Sequence, residues 1–167
     1  MILSHKDFLY QIEEDGTTVT IYKNNDTKTY TAIEATGELT PHHFCVLNYI
    51  KVDLNQSETF EERFLSRTAD LNDVHGFISL RVLRPWDPQN HYVVISLWDD
   101  RKSFEVWQAS EQPLNYHHQW NGALDEEIVN SDLSYYIKFC CPMVGIGIFQ
   151  NFNNLSLCLI YENYLTL

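Results

Sequence analysis

The chain is poor in positive charge. Of its 167 residues 11 are Lys or Arg against 23 Asp or Glu, a formal net charge of −12, which opposes binding to nucleic acid or to anionic lipid surfaces. Neither partner is expected. No export leader is expected: the opening MILSHKDFLY has no charged segment followed by a long apolar one, so the expected compartment is the cytoplasm and the four cysteines are expected to be reduced thiols. Cys140 and Cys141 are adjacent while Cys45 and Cys158 lie far from them; no CxxC-type spacing exists, and zinc is not expected. Long apolar runs are lacking too. The most apolar stretch is C-terminal, but Gln150, Asn151, Asn153 and Asn154 interrupt it well short of the ~18 residues of a membrane span. There is no GxSxG elbow, no GxxxxGK[ST] phosphate loop and no HExxH, which removes the commonest hydrolase, nucleotide and zinc readings.

What the chain does have is a succession of short β-branched and aromatic runs. TTVTIYK and KTYTAI, separated by NND, predict a strand pair within residues 6–33. From His43 the run HFCVLNYIKV alternates, with Phe44, Val46 and Ile50 on one face and Cys45, Leu47 and Tyr49 on the other. Asn48 falls in the first, otherwise apolar set. Thr59 and Glu62 have the spacing of a capping box, and Phe60, Phe64, Leu65 and Leu71 follow at helical spacing, predicting a helix over about 58–73. HGFISLRVLRP and HYVVISLWDD, joined by the turn PWDPQN, are apolar on both faces, the signature of strands covered on both sides. Asp99 or Asp100 can cap a second helix that carries Phe104 and Trp107 one turn apart, and SDLSYYIKF near 131–139 supplies a last strand.

The order βαββαβ is that of a ferredoxin-like α+β unit, an antiparallel sheet with helices on one face and a need for cover on the other. The N-terminal strands are expected to provide that cover, as a second half-sheet that completes a dimeric-type α+β barrel within a monomer. The expected division is an N-terminal partial half-sheet over 1–40, the main domain over 41–141, and a C-terminal extension over 142–167 to which no role is assigned. Pro113 cannot sit inside a continuous helix, but it fits the third position of a new one capped by Ser110. The resulting break lets Trp107 and His117 point at one cavity, whereas ten residues of unbroken helix would turn them ~80° apart.

FCVLNYIKV, GFISLRVLRP and YVVISLWDDRKSFEVWQASE together resemble the core of the antibiotic biosynthesis monooxygenase superfamily. Within it they resemble the Isd-type heme-degrading monooxygenases of the HmoB kind, to which the signalling protein TRAP is related. The resemblance covers roughly residues 28–120 and fades toward 139. It implies that Asn48, Trp107 and His117 surround a heme, with His117 the axial ligand of its iron, Asn48 a hydrogen-bond donor to oxygen bound there, and Trp107 pressing the porphyrin out of plane. Heme would then be substrate and cofactor together, opened with molecular oxygen and electrons from an unidentified reductase, with release of iron. Where the family tends to carry basic residues after the histidine this chain reads HQWNG, which leaves Arg63, Arg67 or Lys102 to meet the heme propionates.

Each of these residues also has an ordinary structural role open to it. Asn48 could bond a neighbouring backbone group, Trp107 could be core, and His117 could be a solvent-facing helix residue; His118 projects about 100° from it, so one of the two at most is axial. His42 and His43 read as loop, and Arg81 and Arg84 as sheet-edge or salt-bridge residues. Two functional classes remain, an oxygen-dependent heme-degrading enzyme and a non-catalytic heme-binding or signalling protein. Asn48 favours the first, because sequestration needs only a ligand and an apolar pocket. A cofactor-free monooxygenase acting on an aromatic polyketide is a third reading.

Overall fold

The computed structural model describes residues 1–5, 8–109 and 128–139. Its elements are β1 (Ile2–His5), β2 (Phe8–Asp15), β3 (Thr18–Lys23), β4 (Asp26–Thr36), β5 (Phe44–Val52), α1 (Ser57–Thr68), β6 (Phe77–Pro85), β7 (Tyr92–Trp98), α2 (Arg101–Ala109) and β8 (Val129–Phe139). All eight strands join one antiparallel sheet in the order β1-β2-β3-β4-β6-β7-β5-β8. The last four of these, β6-β7-β5-β8, are the ferredoxin-like half. None of the described helices is long and apolar enough to cross a membrane.

The sheet sorts its residues by the period of two that strands impose. On one side Phe44, Val46, Ile50, Val82, Val94 and Trp98 form a core with Phe60 and Phe64 of α1 and Phe104 of α2. On the other Cys45, Leu47, Tyr49, Val93, Ile95 and Leu97 pack against Leu3, Tyr10, Ile12, Val19, Ile21 and Tyr30 of the N-terminal strands. Every residue of β7 is accordingly buried. The two edge strands approach each other, β1 lying beside β8, and the Tyr10 and Phe139 rings meet edge to face at 5.3 Å. The N-terminal strands thus cover the face the helices leave open, as the apolarity of HYVVISLW requires.

Two expectations need correction. The N-terminus holds four strands, not two; β1 and β2 are short or half-polar, with only Tyr10 and Ile12 of β2 buried, too few inward positions for alternation to stand out. Helix α1 begins at Ser57 after a 3-10 turn over Leu54–Gln56, so Thr59 lies inside it and makes no capping box, and residues Ala69–Asp73 tighten into a second 3-10 turn. Of the two roles expected for Arg81 and Arg84 the salt bridge holds, with Glu14 and Glu61 respectively, and not the sheet edge, because β6 lies between β4 and β7.

One glycine is dictated by close approach. Gly37, at φ 66°, ends β4 where a Cβ would lie 2.3 Å from the Ile78 carbonyl oxygen, so no side chain fits there. Its carbonyl, with those of Thr36 and Leu80, accepts from Arg81 Nη1 at 2.8–3.1 Å.

Candidate functional site

Asn48 stands at the middle of β5, opposite Val94 of β7 and Tyr136 of β8, and is 5 % exposed. Its face is the helix side of the sheet, between Val46 and Ile50. Among the described residues no hydrogen bond reaches its side-chain amide. The fully buried side-chain polar atoms without a partner among the described residues are the Tyr10 and Ser79 hydroxyls, and the Asn48 amide is not one of them. Ser96, a second buried polar residue of that face, accepts the Trp98 Nε1–H at 3.0 Å.

Trp107 comes from α2, whose start is fixed by Asp100. The Asp100 carboxylate accepts from the Ser103 backbone N–H at 2.7 Å and from its hydroxyl at 2.9 Å, an N-cap that holds its own pKa below the usual value through these bonds. Three residues apart on the helix, Phe104 is buried and Trp107 half-buried. Trp107 packs on Trp98 with centroids 5.0 Å apart and on Phe104 at 5.8 Å. Asn48 and Trp107 are thereby brought to the same side of the sheet, against one core.

His117, His118, Ser110 and Pro113 lie outside the described residues, as does the extension over 142–167. Among the described residues no group of three or more His, Cys, Asp or Glu could hold a metal ion. His42 and His43 occupy the turn before β5. Cys45 is a free, buried thiol whose pKa is pushed up by burial. Arg63 and Lys102 are exposed on α1 and α2.

Residues that the alternation alone did not single out border the same face. Cross-strand pairing sets Tyr136 opposite Asn48 and Lys138 opposite Val46, so both side chains of β8 share Asn48's side. Lys138 Nζ lies 4.8 Å from the Phe104 ring centroid and 3.4 Å from Gln108 Oε1. Arg101, the first residue of α2, lies over Phe44 with Cζ 5.6 Å from the centroid. The period of two in SYYIKF already put Tyr136 and Lys138 on one face; which face it was depended on register.

Helix α1 is tied to the sheet beside this region. Arg84 pairs with the Glu61 carboxylate through Nε and Nη2, and the Tyr92 hydroxyl donates to Glu61 Oε1 at 2.6 Å. Partial burial raises the Glu61 pKa, but the bonds from Arg84 and Tyr92 outweigh it and bring the group below its ordinary value. Burial together with the Glu61 contact pushes Tyr92 up to about 12.

Residues 43–119 match the family model described as antibiotic biosynthesis monooxygenase. Among curated proteins, a heme oxygenase (mycobilin-producing) of Mycobacterium tuberculosis is 28% identical over 61 residues, 36% of this chain and 58% of that protein. The signal transduction protein TRAP of Staphylococcus epidermidis is 26% identical over 82 residues, 49% of this chain and 48% of that protein. The chain thus spans about half the length of the curated relatives it matches. Among solved structures, a major regulator of staphylococcal pathogenesis superposes with a TM-score of 0.62 at 17% identity, covering 86% of this chain and 84% of that one. That likeness is one of fold.

Proposed function

From the match of residues 43–119 to the antibiotic biosynthesis monooxygenase family model, we propose that this chain is a heme-degrading monooxygenase, with heme as its substrate and Asn48, Trp107 and His117 as its working residues. The observation that carries the reading is Asn48, an amide 5 % exposed that makes no hydrogen bond among the described residues, on the apolar face of the sheet against which Trp107 of α2 also packs. A flat, mostly apolar ligand with one polar centre fits those two neighbours. The similarity to a protein named as a heme oxygenase supports the same ligand.

Bound heme supplies an iron that activates oxygen and a macrocycle that is itself the bond-breaking target. The chain supplies the surroundings. His117 presents a neutral imidazole to the iron. Asn48 would offer its amide N–H to the oxygen substrate. Trp107, backed by Trp98, would present its indole to the porphyrin, whose distortion is one of the levers a protein has on heme. Electrons come from a separate donor, and the N-terminal strands let a single chain enclose its own sheet, so the working unit is a monomer in the cytoplasm.

The test is a heme titration of wild type, His117→Ala and His118→Ala, followed by the Soret band. About one equivalent should bind to wild type and to His118→Ala, and the His117→Ala spectrum should change. An unchanged spectrum in His117→Ala, with loss confined to His118→Ala, would reject the ligand assignment. Absence of binding in wild type would reject heme as substrate.

A further inference from the structure

A second aromatic cluster lies on the opposite side of the sheet from Asn48. Tyr49 of β5 and Tyr135 of β8 stand directly opposite each other in the ladder, so their side chains share one face. Their rings stack with centroids 4.8 Å apart and planes inclined by 13°. The other ring pairs formed between described residues are tilted or edge to face. Tyr49 is 6 % exposed and Tyr135 45 %, so the pair has one inner ring and one open to solvent. Beside both stands His91, edge-on, 6.2 Å from the Tyr49 ring and 5.6 Å from that of Tyr135. Its Nε2 lies 2.9 Å from the Leu133 carbonyl oxygen, which can only accept, so Nε2 carries the proton and Nδ1 of the neutral ring keeps its lone pair. Burial lowers the His91 pKa, and Lys51 and Lys28 add to this against the bond to Leu133; near neutrality the ring is an uncharged base. Burial raises the pKa of both phenols and keeps them protonated.

We propose that Tyr49 and Tyr135 form a site of oxidative modification, at which hydrogen peroxide acting through a peroxidase joins the two rings into an intramolecular dityrosine bridge between β5 and β8. This does not depend on the heme reading. Tyr135, the exposed ring, meets the oxidant and loses one electron and its hydroxyl proton, giving a phenoxyl radical. Tyr49 passes an electron to that radical across the stack and loses its own proton, and a second oxidation of Tyr135 then leaves a radical on each ring. Each radical shares its spin with the carbons ortho to oxygen, and stacking holds those carbons face to face. A C–C bond forms between one ortho carbon of each ring, and the hydrogens on the two bonded carbons move to the oxygens, restoring both phenols. Two electrons and two protons leave in all, and one peroxide takes them up as two waters. A phenol kept protonated must shed its proton as it loses the electron, and the free Nδ1 of His91 is the base that takes it. The bridge falls where it constrains the fold most: β8 ends the sheet order, and its pairing with β5 is interrupted by a bulge immediately after Tyr49, between Tyr49 and Lys51, so the link pins an edge strand at the point where its ladder breaks.

The experiment treats the full chain with hydrogen peroxide and a heme peroxidase and follows dityrosine fluorescence, intact mass and the linked peptides. Wild type should become fluorescent while staying a single chain, lose two hydrogens, and yield a linked peptide pair containing Tyr49 and Tyr135. Tyr135→Phe and Tyr49→Phe should each abolish that link. Tyr136→Phe should leave it unchanged, because Tyr136 is 41 % exposed but lies on the other face of β8. His91→Phe should slow the bridging several-fold without moving it. A link formed through any other tyrosine, fluorescence confined to covalent dimers, or wild-type chains that keep their mass while free tyrosine in the same tube is coupled, would overturn the proposal. An unchanged rate in His91→Phe would overturn the part given to the imidazole. The wild-type result needs no variant to fold.

Discussion

The Trp107 indole lies against that of Trp98, with centroids 5.0 Å apart and planes inclined by 34°. Trp98 is 1 % exposed and its Nε1–H is bound by Ser96, so Trp107 is backed by a side chain that cannot yield. On the heme reading, a ligand against Trp107 would meet a backed indole rather than a free one. Trp107→Ala is therefore expected to retain a Soret band while losing reductant-dependent bleaching, and Trp107→Phe to fall between. The stability loss of the alanine variant should stay below the ~3–5 kcal/mol of a fully buried tryptophan, because Trp107 is half-buried. Unchanged bleaching in Trp107→Ala would remove its role in distortion.

A second expectation concerns how the N-terminal strands are held. Arg81 Nε donates to Glu14 Oε1 at 2.5 Å and Nη2 to Oε2 at 3.2 Å, joining β2 to β6 across the two halves of the sheet. The Arg81 side chain is 7 % exposed, and removing its counterion leaves a buried charge uncompensated. Glu14→Ala should cost about 3 kcal/mol in urea unfolding, and Glu14→Gln, which keeps an acceptor, clearly less. A cost under ~0.5 kcal/mol for the alanine variant would mean that solvent already neutralises the guanidinium.

The Glu61 carboxylate gives the fold an acid limit. Its folded pKa is lowered from the ordinary 4.5 by the bonds from Arg84 and Tyr92 that overcome burial, so the unfolded chain binds its proton first as pH falls. The stabilisation is fully present above about pH 4.5 and is lost as pH drops toward the lowered value. Glu61→Gln should lose about 1–2 kcal/mol near neutrality and show a shallower decline in melting temperature below pH 5 than wild type. Parallel curves for the two proteins would show that the carboxylate charge is not what holds α1 to the sheet.

The strands apolar on both faces were the most legible part of the sequence. HFCVLNYIKV places Asn48 with Phe44, Val46 and Ile50, and the structure keeps that grouping, because a one-residue slip would turn the whole set to the other core. β1 and β2 were not legible: their inward residues are few, and their pairing is decided by the β2–β3 hairpin and by contact with β8. The start of α1 was misplaced because a 3-10 turn precedes it, and Thr59 and Glu62 match a capping pattern that the backbone does not use. Arg101 and Lys138 escaped notice for another reason. Neither belongs to a local motif, and only the β5–β8 register together with the Asp100 cap brings them to one corner.

Turnover is the central claim, and Asn48 is where it is most exposed to test. The direct measurement is the Soret absorbance of heme-loaded protein after addition of ascorbate in air with catalase present, with released iron trapped by a ferrous chelator. Wild type should bleach and release iron, whereas Asn48→Ala should hold its heme with a persistent Soret band and release little. Wild-type protein that binds heme and then keeps its Soret band with several reductants would contradict the account, and would identify a heme-binding or signalling protein on the same fold.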